Sequence, residues 1–273
     1  MFGSGNPALN ENTFHLDESY YTGKANAMTV QGAVYKTMIL LALCVGAASF
    51  TWGLTMQAIA GSGAGGAGGT EAWGSLPLWQ NPMVWMIGGA IGGLIVALIT
   101  IFKKTLSPYT APIYAVLEGL FLGAISAFYE ASFGGGGLTG IVAQAVGLTL
   151  GVTASMLILY TFRIIKVTAK LRAGIMMATG GVLLFYLTTF VLSLFGVNMT
   201  AVHGATPLSI GISLVIVAIA AFNLLIDFDL IERGAEQGAP KYMEWYGAFG
   251  LMVTLIWLYL ELLRLLAKLQ SRD

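Results

Sequence analysis

The chain has 273 residues, of which 57% are hydrophobic and 10% are charged, and its acidic and basic side chains balance. Its mean hydropathy of +0.80 excludes an ordinary soluble domain, in which about 25% of residues are charged. A net charge of zero does not by itself identify a partner. We expect contact with a lipid bilayer and none with nucleic acid.

The apolar residues form seven blocks, each about as long as the 20 residues that a membrane-spanning helix requires. These spans cover residues 37–59, 84–102, 112–129, 138–160, 173–195, 207–226 and 245–266. The pattern predicts an all-α integral membrane protein. We expect a polar cytosolic tail over 1–36, a seven-span domain over 37–268 and a short C-terminal tail over 269–273.

Basic residues are unevenly distributed between the predicted loops. The loops 60–83, 130–137 and 196–206 contain no lysine or arginine. Ten basic residues lie on the other side, namely Lys24, Lys36, Lys103, Lys104, Arg163, Lys166, Lys170, Arg172, Arg233 and Lys241. Because positive charge is enriched in cytosolic loops, this bias predicts a cell-membrane protein with a cytosolic N-terminus.

The last span is an exception to this pattern, since Arg264, Lys268 and Arg272 follow its centre. Either the segment crosses the membrane despite these charges, or it re-enters and returns to the cytosol. We favour crossing, because 22 residues are long enough to span the bilayer.

The sequence offers little for catalysis or for a resident metal. Cys44 is the only cysteine, and His15 and His203 lie in polar segments on opposite predicted sides. The glycine-rich run 61–69 lacks the lysine of a phosphate-binding loop, and four more glycines follow at 134–137. We therefore expect no enzymatic activity, no catalytic residue, no metal site and no cofactor, and we expect both glycine runs to be pliable outer connections.

Small residues recur four positions apart in three spans. They are Gly88, Gly89, Gly92 and Gly93 in the second, Gly119, Gly123 and Ala127 in the third, and Ala143, Gly147, Gly151 and Ser155 in the fourth. Such stripes let helix backbones approach closely. They predict packing seams in a compact bundle.

Two carboxylates fall at similar predicted depths. Glu118 lies six residues into the third span, and Asp227 lies six residues before Arg233, so each is about 9 Å along its helix. Charge in hydrocarbon is costly, so such residues usually have a partner or a function. The two could share a proton, share a cation or each meet a basic partner, for which Lys103 and Lys104 are candidates.

Spacing along the last two spans predicts further pairs. Asn223 lies four residues before Asp227, on the same helix face, and can hydrogen-bond to it. Asp229 points elsewhere and lies four residues before Arg233, which favours a structural ion pair. In the seventh span, Glu261 and Arg264 are three apart and are expected to neutralise each other.

Several motifs in this order resemble the Bax inhibitor motif family, and its bacterial branch in particular. They are Leu117-Glu118-Gly119-Leu120-Phe121-Leu122-Gly123, then Ile226-Asp227-Phe228-Asp229-Leu230-Ile231, and the closing run from Tyr242-Met243-Glu244-Trp245 to Leu262-Leu263-Arg264. The resemblance covers about residues 30–268.

The resemblance implies six helices around a central seventh, and a pH-sensitive leak of calcium ions down their gradient. In that family an aspartate near the end of the sixth helix pairs with one in the seventh, and their protonation controls opening. Asp227 matches the first position. The second falls at Thr254, which cannot titrate, so we consider Glu118 as its replacement.

We therefore expect an ion-leak protein with a carboxylate gate on the cytosolic side, in which Asp227, Asn223 and Glu118 with waters would form a sparse calcium site. The alternative is a non-transporting regulatory protein that contacts other membrane proteins, such as stress factors or a membrane protease. The packing seams fit that alternative equally well.

Overall fold

The structure is a computed structural model that describes residues 27–61, 76–134, 140–195, 204 and 206–271. The tail before residue 27, most of both glycine runs, His15 and His203 lie outside the described residues. Seven long helices form the described chain, and each is long and apolar enough to cross a membrane. They are α1 (Val30–Gly61), α2 (Pro82–Phe102), α3 (Ser107–Phe133), α4 (Ile141–Thr161), α5 (Ala169–Leu194), α6 (Pro207–Glu236) and α7 (Met243–Gln270).

The helices divide between two compact units. Of the described residues, the first unit takes those between Met28 and Gln144 and those from Pro240 to Met252, and the second takes those between Ala145 and Ala239 and those from Val253 onwards. Helix α7 contributes its first ten residues to the first unit and the remainder to the second.

Local sequence signals explain where several helices begin. Asn81 caps α2 by accepting a hydrogen bond from the Met83 N–H at 2.9 Å. Thr168 caps α5 and Thr206 caps α6 in the same way. Proline follows two of these caps directly, at a position where its missing N–H would have no helical partner.

Two of the wrongly predicted helix ends bear on the positions of the carboxylates. Helix α3 begins at Ser107 and contains Pro112, which had been taken as its start. Helix α6 continues to Glu236 and so includes Arg233, which had been placed in a loop. In both cases a polar or helix-breaking residue was taken as a boundary. Proline is tolerated within membrane helices, where neighbouring groups satisfy the freed backbone carbonyl, and Arg233 pairs with Asp229 one turn earlier on the same helix.

Glycines allow the helices of the first unit to pack closely. A Cβ at Gly89 would lie 2.6 Å from the Leu117 carbonyl oxygen of α3, and one at Gly93 would lie 2.8 Å from Glu118 Oε1. Gly119 and Gly123 of α3 face the α1 backbone at Cys44 and Ala48. The packing seams predicted in the second and third spans are therefore confirmed.

The seam predicted in the fourth span is not present among the described residues. A Cβ added at Gly147 or Gly151 would meet no described atom within 4 Å, and the same holds for Gly88 of α2. Spacing alone cannot distinguish a glycine against a neighbouring helix from one on an open face.

Gly123→Leu should destabilise the protein by about 3 kcal/mol or more. The new side chain would overlap the Ala48 carbonyl and the Thr51 hydroxyl, so α1 and α3 would have to separate. Gly88→Leu is the matched control, because that glycine has open space. Thermal unfolding in detergent checks this, and similar transition temperatures for the two variants would contradict the packing described.

Helix α7 has the largest buried share of the seven, with 67% of its most apolar stretch buried, against 17% for α2, α4 and α5. The last helix is therefore the most buried of the seven described helices. Its 28 residues form one continuous helix of about 42 Å, whereas the hydrocarbon core is about 30 Å thick. A re-entrant segment would require a break, so the continuous helix favours crossing.

Candidate functional site

Asp227 is the most deeply placed candidate residue. It lies on α6, nine residues before the helix ends, and has 0% exposure. Nine residues correspond to about 14 Å of helix, so Asp227 lies well inside α6. Its neighbours Leu224, Leu225 and Ile226 are also fully buried. The carboxylate is therefore not a helix-end residue that reaches water.

Thr254 of α7 contacts this carboxylate directly. Its hydroxyl donates a hydrogen bond to Asp227 Oδ2 at 2.5 Å, and both side chains are buried. Both residues belong to the second unit. The structure thus brings together the two positions that the family resemblance had paired, with a hydroxyl in place of the second carboxylate.

Asn223 does not bond to Asp227 as predicted. Its amide donates to the Thr179 hydroxyl of α5 at 2.8 Å and to the Ile219 carbonyl one turn earlier at 2.9 Å. Spacing of four residues permits the predicted bond, but it does not determine which way the side chain points, and the Asn223 amide is directed towards α5. Asn223 therefore links α6 to α5.

Asp229 forms the predicted ion pair with Arg233, with Nε and Oδ2 3.0 Å apart. It also pairs with Arg172 of α5, whose side chain is only 3% exposed. Sequence analysis missed this second arginine, because it had been assigned to a solvated loop. In the structure Arg172 lies in the first turn of α5, and its partner Asp229 is 57 positions away, so local spacing gave no indication of the pair.

Glu118 belongs to the first unit, where it is half-buried. Its side chain is hydrogen-bonded to Tyr114, one turn earlier on α3, and its carboxylate lies against Gly93 of α2. No lysine or arginine of the described chain lies within 4.0 Å of it. The suggestion that Glu118 shares a proton or a cation with Asp227 stays a prediction.

The two lysines considered as partners lie elsewhere. Lys103 is the C-cap residue of α2, and its backbone N–H donates a hydrogen bond to the Ile99 carbonyl at 2.8 Å. The Lys104 ammonium lies 5.9 Å from the centre of the Tyr246 ring. In the part of the chain that the structure describes, neither forms an ion pair with a carboxylate.

The charges of α7 in the second unit form a buried network. Arg264 pairs with Glu261 at 3.0 Å, as predicted. Tyr186 of α5 donates to the same carboxylate at 2.7 Å, and the Trp257 indole N–H lies 3.2 Å away. Further along, the Lys268 ammonium donates to the Ser213 hydroxyl at 2.9 Å. These contacts fix α7 to its neighbours.

Glu244 was not singled out by sequence analysis, although it is fully buried. Lys36 and Lys241 pair with its carboxylate, and both the N–H and the hydroxyl of Thr29 donate to it at 2.9 Å. The carboxylate therefore has four donors. Apart from Lys241, its partners lie more than 200 positions away, with Lys36 in α1 and Thr29 just before it, so no local pattern could reveal them.

Within the described residues, no three histidine, cysteine or acidic side chains lie close enough to hold a metal ion together. At the candidate site, the Asp227 carboxylate and the Thr254 hydroxyl are the oxygens seen in contact. That pair is too sparse for tight calcium binding, which requires six to eight oxygen ligands.

The sequence model of the family described as Bax inhibitor 1 like matches residues 6–271, which is nearly the whole chain. The chain belongs to the Bax inhibitor 1-like family. Its seven membrane-compatible helices and its Asp227–Thr254 contact agree with the resemblance drawn from the motifs. No curated protein matched the sequence in the comparison made.

Thr254→Asp should give this Bax inhibitor 1-like protein a pH-dependent stability. Two buried carboxylates in contact would hold one proton between them, and losing that proton would leave two adjacent negative charges. We expect the unfolding temperature in detergent to fall as pH rises from about 5 to about 8.

Thr254→Val is the matched control for this measurement. It removes the hydroxyl but keeps the shape, so it should lower stability by only about 1–2 kcal/mol at every pH in that range. If the Asp and Val variants have the same pH profile, the side chain at 254 does not face Asp227 as described.

Proposed function

We propose that this Bax inhibitor 1-like membrane protein is an ion leak that lets calcium ions pass down their gradient, and that protonation of Asp227 controls the passage. The observation that carries the proposal is the fully buried Asp227 carboxylate, placed well inside a membrane-compatible helix and contacted by Thr254 of the last helix.

The chemistry of this pair suits a gate. A carboxylate inside hydrocarbon costs several kcal/mol when charged, so its protonation changes the local free energy substantially. Carboxylate and hydroxyl oxygens are also ligands that calcium accepts. A small ligand set binds weakly, and weak binding permits an ion to leave as well as enter.

Reconstitution of the purified protein into liposomes tests the proposal. Calcium entry, followed with a trapped indicator, should require the protein and should change with external pH. Protein-free liposomes of the same composition are the control. Absence of protein-dependent flux at every pH would contradict the leak and favour the non-transporting regulatory protein considered from the sequence.

We also propose that the protein lies in the cell membrane with its N-terminus in the cytosol. This orientation rests on the ten basic residues that lie in the N-terminal tail and in every second predicted loop. In a Cys44→Ala background, a cysteine introduced at Gly66 should react with an impermeant thiol reagent applied to intact cells. A cysteine at Lys170 should react only after lysis, and the reverse result would invert the orientation.

A further inference from the structure

Three lysines lie around the start of α7 in the first unit, and a fourth, Lys103, directly precedes one of them in the chain. The Lys36 ammonium lies 5.6 Å from the centre of the Trp245 ring, and the Lys104 ammonium lies 5.9 Å from that of Tyr246. Lys241 precedes the same turn and pairs with Glu244. We refer to Lys36, Lys103, Lys104 and Lys241 as the four-lysine cluster.

Two polar contacts fix the position of the segment that carries Lys103 and Lys104. The Ser107 hydroxyl donates to the Tyr242 carbonyl at 3.0 Å, which holds the start of α3 against the turn before α7. The Thr100 and Thr110 hydroxyls are 2.8 Å apart and join the end of α2 to α3. The connection between α2 and α3 is therefore held in place beside α7.

The cluster carries more positive than negative charge. Among the described residues, Glu244 is the carboxylate that pairs with it, and its partners are Lys36 and Lys241. Lys103 and Lys104 have no carboxylate within 4.0 Å in that part of the chain. Lys104 is half-buried over an aromatic ring, so its position is restricted, while Lys103 is exposed.

Exposed apolar side chains precede and follow these two lysines in the chain. Phe102, directly before Lys103, is 82% exposed, and Tyr109 is 75% exposed. Large apolar and aromatic side chains at the end of a spanning helix lie at the boundary between acyl chains and headgroups. Lysines beside them are therefore at the level of phospholipid phosphates.

We propose that Lys103 and Lys104 form a binding site for the headgroup of an anionic phospholipid. The phosphate would accept hydrogen bonds from both ammonium groups, while its acyl chains would cover the exposed rings of Phe102 and Tyr109. The apolar border favours a phospholipid over a soluble phosphate. The proposal does not depend on calcium transport.

Native mass spectrometry of the full-length protein in neutral detergent tests this site. Phosphatidylglycerol and phosphatidylcholine with identical acyl chains are titrated separately, and the bound lipid is counted. We expect the wild-type protein to prefer phosphatidylglycerol about tenfold or more, and the Lys103→Gln, Lys104→Gln double variant to lose that preference.

The matched control is the Lys166→Gln, Lys170→Gln double variant. It removes the same charge from two exposed lysines of the second unit for which the structure gives no aromatic neighbour. This control should keep its preference within about twofold. Both variants should unfold at the wild-type temperature in phosphatidylcholine, because none of the four lysines is buried.

Three results would overturn the proposal. The first is an unchanged preference in the Lys103, Lys104 variant. The second is an equal loss in the control, which would indicate attraction by overall charge. The third is displacement of phosphatidylglycerol by an equal concentration of glycerol phosphate, which would assign the site to a soluble anion.

Discussion

Asp227→Asn should remove most of the pH dependence of calcium flux through the reconstituted protein. The amide has nearly the shape of the carboxyl group and can still accept the hydrogen bond from Thr254, but it cannot lose a proton. The variant therefore remains in the uncharged state at every pH. Flux against pH, measured in liposomes of one composition, checks this.

Glu236→Gln is the matched control for this experiment. It neutralises a carboxylate on the same helix, but this residue is exposed at the helix end. Its flux profile should follow the wild-type profile. A wild-type pH profile for Asp227→Asn would show that the buried carboxylate has a structural role only, and the proposed gate would be excluded.

Asp229→Asn should destabilise the protein by about 3–5 kcal/mol. The change removes the carboxylate that neutralises Arg172, whose side chain is 3% exposed. From the sequence, Asp229 was expected to form a structural ion pair with Arg233 alone. Unfolding in detergent measures the effect directly.

Comparison with Arg233→Gln tests whether the effect depends on how deeply the arginine partner is buried. Arg233 pairs with the same carboxylate but is 45% exposed, so its loss should cost no more than about 1 kcal/mol. Replacing the buried pair as a unit, with Arg172→Met and Asp229→Leu together, should recover most of the stability lost in Asp229→Asn. Equal effects of Asp229→Asn and Arg233→Gln would contradict the buried pair.

The membrane character and the number of helices could be predicted from sequence, because both depend on long apolar runs. Helix ends could not be predicted as well. Arg233 and Pro112 were taken as boundaries, yet the helices continue through both positions. Whether a charged residue ends a span depends on its partner, and partners on other helices are not visible in local sequence.

At the candidate site, contacts within one helix could be predicted from the sequence, and contacts between helices could not. The Asp229–Arg233 and Glu261–Arg264 pairs follow from helical spacing and are present. The contacts of Arg172 and Glu244 connect residues distant in sequence, so spacing gave no indication of them. Asn223 illustrates the limit of spacing, since its bond to Thr179 of α5 replaced the expected intrahelical one. The adjacency of Asp227 and Thr254 was anticipated only through the family resemblance.

The buried Glu244 carboxylate also has a consequence for biosynthesis. Its partner Lys36 is 208 positions earlier in the chain, so at about 5–20 residues per second the ribosome takes roughly 10–40 s to supply the counter-charge. During that interval α1 already occupies the membrane with an unneutralised lysine. The ion pair that joins α1 to α7 can therefore form only after the last helix has been synthesised, and a chain that ends before residue 243 cannot form it.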